Sequence, residues 1–484
     1  MRGGHAKSLG PSAVVVGGGI SGLVAARELA VAGTAVTVLE ATGSWGGCVG
    51  GHTVAGLSLD SGAESFATRS TAVADLAREL GLESRIVAPH PGGAWVQLPE
   101  GARELPKTGV LGIPANPWDP EVRRSLGFAG ALRASLDRWM PASVGTSSDV
   151  TSVSELVRAR MGKTVLERLV APVVGGVHSA DPALLDVDMV APGLRAGLRK
   201  HGSLAAAVAS QRQAARGTGS VPAKAGSAVG GLTGGMHTLV TALVKDLRDR
   251  GVDLLTDKRV ASARKTSHGW QVTAGGEAYD ADRLVVALDG PAAVRLLEDS
   301  LPGLAALRPG PGPLVSLVTL VVDLPELDGR PRGTGILVAP QTAGIRAKAL
   351  THATAKWDWL AEEAGPGTHV VRLSYGRMED SGAPEAALDD ENLLSAALED
   401  ASALLTVPVS RTDILDWDVV RWAGALPFAA VGHKQRVAQV RKVVGSVDGL
   451  TVVGGWLAGN GLAAVVADTR AQVAPLRAED PTIT

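Results

Sequence analysis

The sequence predicts an α/β chain built on a discontinuous Rossmann-like domain, with a mixed-sheet domain and a helical insertion between its parts. Three stretches carry this prediction. An all-apolar run at 13–16 leads into the turn Gly17-Gly18-Gly19-Ile20-Ser21-Gly22 and then a helical pattern. A second strand–turn–helix pattern, with Gly454-Gly455 and Gly459-Asn460-Gly461-Leu462, lies near the far end of the chain. Between them, from 313 to 422, the pattern is rich in strands.

In the first stretch, Leu23, Ala26, Leu29 and Ala30 recur at helical spacing until Gly33, and the apolar run 35–39 ends on Glu40. Gly17 suits the tight turn, Gly19 lets the backbone approach a pyrophosphate, and Gly22 permits close helix–strand packing. The phosphates would sit at a helix N-terminus, where free N–H groups and the helix dipole favour an anion. An acidic residue about 20 positions on accepts ribose hydroxyls, and Glu40 fits that place. The pattern predicts an adenine dinucleotide site.

Composition bounds the rest. At 484 residues, 45% hydrophobic and 20% charged, the chain is expected to form about two to four domains. A net charge of −2 offers no electrostatic footprint for nucleic acid. The single cysteine, Cys48, excludes an intrachain disulfide. The polar start has no signal-peptide core, and no apolar run reaches about 18 residues. These features predict a soluble cytoplasmic protein, with peripheral membrane contact left open. No metal-ligand cluster, Ser/His/Asp set or carboxylate pair stands out.

Residues 71–80 read as a helix closed by Gly81, and 95–98 with 103–105 as a hairpin-like pair. Helical patterns follow at 120–139, 153–161 (behind Ser152 and Ser154) and 164–174. The Ala-, Gly- and Ser-rich stretch 216–230 has little to bury and is expected to be a mobile loop. Order resumes with Gly234-Gly235 and a helix carrying Leu239, Leu243 and Leu247; His237 at its start reads as a capping or packing residue. Strands are expected at 252–255, 259–263, 270–273 and 282–288, then at 314–322, 335–338, 347–351, 368–375 and 413–422, with a helix at 389–405. In 352–360 the aromatics Trp357 and Trp359 alternate, as in a half-buried strand, beside His352 and Lys356. At 450–453 a strand meets the second glycine turn, which opens a helix whose N-terminus favours negative charge.

Glu40-Ala41, Gly46-Gly47 and Gly62-Ala63-Glu64-Ser65 together resemble the start of the FAD-dependent oxidases that include protoporphyrinogen and coproporphyrinogen oxidases, monoamine oxidases and phytoene desaturases. Later stretches resemble the Gram-positive, coproporphyrin-forming branch: 105–116, 171–192, 231–239, 351–360, 421–437 and 452–464. The resemblance implies that FAD contacts Gly17 to Gly22, Glu40, Ala41, Gly46, Gly47, Gly62 to Ser65, Val260, Trp422 and Gly459, Asn460, Gly461 and Leu462. It implies an FAD-binding domain at 1–85, 216–300 and 441–484, a substrate domain at 86–115 and 301–440, and a helical insertion at 116–215. Relatives usually carry Arg where Ser44 stands, a basic residue at Cys48, a tyrosine at His178 and a proline after Gly461-Leu462.

The implied reaction oxidises coproporphyrinogen III to coproporphyrin III in haem biosynthesis, with O2 as acceptor and H2O2 released. Hydride passes to the flavin, so no catalytic acid or base is assigned. Arg103, Lys107 and Lys356 are the cations expected to meet substrate propionates, and hand-over of product to a ferrochelatase is implied. Protoporphyrinogen IX oxidation, amine oxidation and a non-catalytic flavin-binding scaffold are the alternatives. Amine oxidation expects an aromatic pair at the flavin, hard to furnish from three Phe and two Tyr without Trp.

Overall fold

Ala13 and Val15 bury into one core cluster, while Val14 and Val16 bury into another. A parallel strand covered on both faces reads as an unbroken apolar run, which is why 13–16 shows no alternation. The computed structural model describes residues 11–106, 110–148, 150–216, 229–377, 384–424 and 426–478. In it Ser12–Val16 is the centre of a five-stranded parallel sheet, ordered Asp253–Leu255, Ala35–Leu39, Ser12–Val16, Arg283–Val286, Leu450–Val452. Helices Ile20–Val31, His237–Asp249 and Leu462–Ala478 pack into the cluster on one face. The other face meets an antiparallel sheet (Val260–Thr266, Gly269–Ala274, Glu277–Ala281) and helix Gly290–Leu297. This one sheet takes strands from three distant stretches of sequence.

A second, seven-stranded sheet is ordered Ile414–Ala423, Leu314–Asp323, Thr368–Tyr375, Ala349–His352, Gly335–Val338, Trp95–Leu98, Gly101–Glu104. Its pairs are antiparallel except Gly335–Val338 with Trp95–Leu98, so the sheet is mixed. Strand alternation sorts its side chains. Val318, Leu320, Val371 and Leu373 face helix Asp390–Leu405, while Val321 and Val370 join Val54 and Leu59 of the hairpin Gly51–Val54/Leu57–Asp60. That hairpin belongs to the chain just behind the first glycine turn, so the part of the molecule that carries this turn abuts this second face.

The helical insertion packs Pro120–Ser135, Val153–Met161, Ala171–His178, Leu194–His201 and Leu204–Arg216 around its own core. Ser152 starts Val153–Met161 with a reciprocal cap: its hydroxyl accepts from Glu155 N–H at 3.1 Å, and the Glu155 carboxylate accepts from Ser152 N–H at 2.9 Å.

Several expectations need correction. The span 164–174 is not one helix; Lys163–Val165 and Ala171–His178 flank a π turn at Leu166–Val170, beside Pro172, which has no N–H to donate. Segment 352–360 is not a strand beyond His352; it forms helices Ala353–Lys356 and Asp358–Ala364. Ala353, Trp357 and Leu360 enter one cluster at i, i+4 and i+7, a helical period that the Trp alternation masked. Strand Glu277–Ala281 and helix His433–Val444 were not expected. Val440 and Val444 pack with Leu450 and Val452, so the boundary expected at 440 falls inside a helix attached to the parallel sheet's side. Of the loop expected at 216–230, residues 217–228 lie outside the described residues; Val229 and Gly230 pair as strand with Ala67 and Phe66.

Candidate cofactor and substrate site

The first glycine turn is built by exclusion of side chains. A Cβ on Gly22 would lie 1.8 Å from the Gly17 carbonyl oxygen, and one on Gly17, at φ 104°, would lie 2.6 Å from the Ala287 carbonyl oxygen. Gly19 caps helix Ile20–Val31 without a side-chain cap, and the space beyond its Cα is open to 4 Å. Ile20 and Ser21, also expected at the phosphates, open this helix and are buried. The early N–H groups of the helix are therefore available to an anion.

The second loop faces the first. Gly46 N–H donates to the Gly18 carbonyl at 2.8 Å, and a Cβ on Gly47 would be 3.5 Å from Gly19 Cα. Gly46 and Gly47 both have positive φ, 101° and 56°, a combination suited to glycine. The structure thus brings Gly17 to Gly22 and Gly46-Gly47 into one cradle. Glu40 closes it: its Oε2 accepts from Gly18 N–H at 2.7 Å and its Oε1 from Thr42 N–H and Oγ at 2.8 Å. A carboxylate offers about four lone-pair sites, so capacity for a ribose hydroxyl remains. Ala41 follows it in the chain and is half-buried. Glu40 N–H donates to the Leu255 carbonyl and accepts at its own carbonyl from Lys258 N–H, each at 2.8 Å, so the chain entering the strand at Val260 runs beside Glu40.

Ser44 is exposed, and the indole of the next residue, Trp45, packs where a Cβ on Gly18 would stand, 2.5 Å away. Cys48 supplies its carbonyl rather than its side chain, accepting from Ala63 N–H at 2.8 Å; a Cβ on Gly62 would meet that oxygen at 2.2 Å. Burial pushes the Cys48 thiol up, out of the thiolate range. Trp422, on the edge strand of the large sheet, donates its indole N–H to the Ser61 carbonyl at 2.8 Å, beside Gly62. Ser65 is half-buried in the same segment.

Glu64 shows a partnership that spacing did not reveal. Its Oε1 accepts from Lys356 Nζ at 2.5 Å and its Oε2 lies 3.0 Å from an Arg372 guanidinium nitrogen. Burial alone would raise the Glu64 carboxyl; Lys356 and Arg372 outweigh it and hold the group down at about 2. Lys356 is thus committed to an internal ion pair, which corrects its assignment as a propionate cation. Arg103 donates to the Arg124 carbonyl at 3.0 Å, tying the hairpin to the helical insertion with most of its donors still available. Lys107 lies outside the described residues. His237 is a structural residue as expected: Asp60 binds its ring nitrogen at 3.0 Å and accepts the N–H groups of Met236 and His237 at 2.9 Å.

At the far turn, Gly459 and Gly461 have φ of 95° and 116°, and Leu462 opens the last helix. Asn460 donates its amide to His178 Nδ1 at 2.9 Å, so His178 is neutral with its proton on Nε2; burial holds its pKa down to about 4. Asn460 Oδ1 is buried with no partner among the described residues. The open space at Gly19, the uncapped helix start and this orphaned oxygen all fit a bound dinucleotide. Sequence reasoning missed Arg372 and Lys348, the latter a fully buried lysine at the head of strand Ala349–His352. A charged residue in the apolar run 347–351 was the signal available for it.

A family model of flavin containing amine oxidoreductases matches residues 20–469, and the chain belongs to that family. It is an FAD-dependent oxidoreductase with the amine-oxidase-like fold. Over nearly its full length it is similar to coproporphyrinogen III oxidases: it is 32% identical to that of Mycobacterium leprae over 96% of this chain and 98% of that one. Against the coproporphyrinogen III oxidase of Bacillus subtilis the identity is 27%, covering 93% and 94%. A solved structure of a candidate protoporphyrinogen oxidase from Exiguobacterium sp. 255-15 superposes with a TM-score of 0.79 at 23% identity, covering 98% and 99%, and shares the fold.

Proposed function

We propose that this protein oxidises coproporphyrinogen III to coproporphyrin III, with O2 as the electron acceptor and H2O2 released. The observation that carries the substrate is the end-to-end similarity to coproporphyrinogen III oxidases. The positions of the tyrosines weigh against amine oxidation. Tyr375 is buried with its hydroxyl on Asp400 at 3.1 Å, in the cluster on the sheet face away from Asp60 and Glu64. Tyr279 bonds Glu277 at 2.6 Å on the small antiparallel sheet. Neither is placed to form an aromatic cage at the glycine turns.

Bound FAD supplies the hydride acceptor, and the bridging carbons of the macrocycle supply hydride repeatedly until the ring is conjugated. The chain's own residues hold, orient and dry the reactants. The two glycine turns and Glu40 would hold the dinucleotide, Trp422 and Gly62 would fix the segment beside it, and the unpartnered oxygen of Asn460 would be available to the ring. Pyrrole nitrogens shed their protons without a dedicated base, so no side chain is assigned that step. Arg103 and Lys107 serve as propionate contacts.

Peripheral lipid contact belongs to the same proposal. Among the described residues no helix is long and apolar enough to cross a membrane. Phe128, Leu132, Leu136 and Trp139 nevertheless stand exposed on one side of Pro120–Ser135 and its 3₁₀ extension, Phe128 and Trp139 at 68% and 69%. Trp118 meets Phe128 edge-on at 5.5 Å, and exposed Arg123, Arg124 and Arg138 flank them. Large exposed apolar side chains rimmed by arginine suit an anionic lipid surface. Hand-over of product to a ferrochelatase is part of this reading, as is a cytoplasmic location.

The test is a comparison of aerobic porphyrin fluorescence, and of anaerobic flavin bleaching, with coproporphyrinogen III and protoporphyrinogen IX. A higher kcat/KM for coproporphyrinogen III is expected. Preference for the other macrocycle overturns the substrate; bleaching by neither overturns the oxidase.

A further inference from the structure

Lys348 is 2% exposed, yet among the described residues its amine meets no carboxylate. Its backbone is locked in the large sheet, accepting from Val338 N–H at 3.0 Å and donating to the Ser374 carbonyl at 2.8 Å. Nζ donates to the Gly376 carbonyl at 2.9 Å and to the hydroxyl of Ser179, which is fully buried in a left-handed conformation at φ 53°. Ser179 directly follows His178, whose ring holds the Asn460 amide. One polar line therefore crosses from the large sheet, through the end of helix Ala171–His178, to the glycine turn that opens the last helix.

A buried amine without a counter-ion is costly, and an apolar side chain of that length would fill the space more cheaply. We infer that Lys348 is a positioning residue: acting through Ser179 and His178, it sets where Asn460 presents its free oxygen to the flavin. This rests on the reading that the Asn460 turn faces the cofactor.

The line is proton-sensitive. The neutral amine can donate one N–H to Gly376 and the other to Ser179, and keeps a lone pair. Protonation turns that lone pair into a third N–H, for which no acceptor stands among the described residues. Burial first, and then the Arg377 guanidinium, hold the amine down to about 7. Among the described residues, the nearest titratable groups along the same chain segments are neutral His178, which precedes Ser179, and Asp400, which accepts from the backbone N–H groups of Arg346 and Ala347 and from Tyr375. Asp400 is itself raised from its ordinary value by burial.

The experiment uses the purified holoprotein and reads the visible absorption of bound flavin from pH 6 to 8.5, the FAD Kd, and thermal stability. Wild type is expected to show a spectral transition near neutral pH. Lys348→Met and Ser179→Ala should abolish it and raise the Kd roughly tenfold, the scale of one hydrogen bond to a charged group. Lys348→Arg should restore the Kd without the transition. Asn460→Ala should shift the spectrum, and adding Lys348→Met to it should change nothing further. If Asn460→Ala moves the spectrum while Lys348→Met and Ser179→Ala leave spectrum and pH profile as in wild type, the positioning role is overturned. If Asn460→Ala is silent, the placement of that turn at the flavin is overturned instead. Should Lys348→Met fail to fold, Ser179→Ala decides by the same readouts.

Discussion

Lys356 Nζ and Glu64 Oε1 meet at 2.5 Å, joining the short helix that follows strand Ala349–His352 to the segment behind the first glycine turns. Both side chains are nearly buried, at 13% and 15% exposure, and Arg372 shares the carboxylate. Removing one partner of such a pair strands a charge and costs about 3–5 kcal/mol. Lys356→Met, which leaves Arg372 in place, should fall at the lower end, near 3 kcal/mol by denaturant midpoint. Its KM for coproporphyrinogen III should stay within about threefold of wild type. A large rise in KM with little loss of stability would return Lys356 to the substrate.

The same carboxyl sets an acid limit. Glu64 is held at about 2, below its ordinary value of 4.5. A depressed carboxyl contributes stability that is complete above its unfolded value and is lost as pH falls through its folded one. Wild type should therefore lose melting temperature progressively between about pH 4.5 and 2. Glu64→Gln should start lower and show a shallower slope across that window. Equal slopes for the two proteins would mean that the triad does not govern acid stability.

Gly22→Ala tests the first turn. Its new Cβ would overlap the Gly17 carbonyl at 1.8 Å, a backbone atom that cannot swing aside. Overpacking of this kind costs about 1–3 kcal/mol, which on the cofactor side is a loss of FAD affinity of about five- to 150-fold. The protein should purify pale, with a melting temperature that no longer rises when FAD is added. Full yellow colour at wild-type stability would refute the cradle.

How legible was this chain? The glycine turns, Glu40 and the long strands were readable because each rests on local chemistry: a tight turn, a free helix end, an apolar run buried on two faces. Gly335–Val338 and Thr368–Tyr375 fall where alternation placed them. Glu64 with Lys356, or Lys348 with Ser179, was not readable, because 292 and 169 residues separate the partners and only the sheet order brings them together. Segment 352–360 misled because two tryptophans two apart imitate a strand, while the residues that bury follow a helical period.

Lipid contact has its own test. Phe128→Glu with Trp139→Glu places two carboxylates on an exposed face that packs against nothing in the described core, so stability should change by less than about 0.5 kcal/mol. Co-sedimentation with anionic phosphatidylserine vesicles should drop severalfold, while neutral vesicles should bind wild type weakly. Unchanged co-sedimentation would remove the membrane from the proposal and leave this face to a protein partner.

Trp422 ties the large sheet to the Ser61-Gly62 segment proposed to lie beside the cofactor, and its loss tests that placement. The residue pairs opposite Val315 on the outer strand, so Trp422→Phe keeps the strand register and most of the apolar contact. What it removes is the indole N–H, leaving the Ser61 carbonyl without its 2.8 Å donor. A partly buried acceptor left unsatisfied costs about 1–3 kcal/mol. Because Ser61 adjoins Gly62, whose lack of a side chain holds the chain against Cys48, that cost should appear in cofactor binding first. The FAD Kd, followed by recovery of free-flavin fluorescence on dilution, should rise about tenfold. The apoprotein's melting temperature should move by only a few degrees. An unchanged Kd with a lowered apoprotein melting temperature would make Trp422 a packing residue of the sheet edge alone.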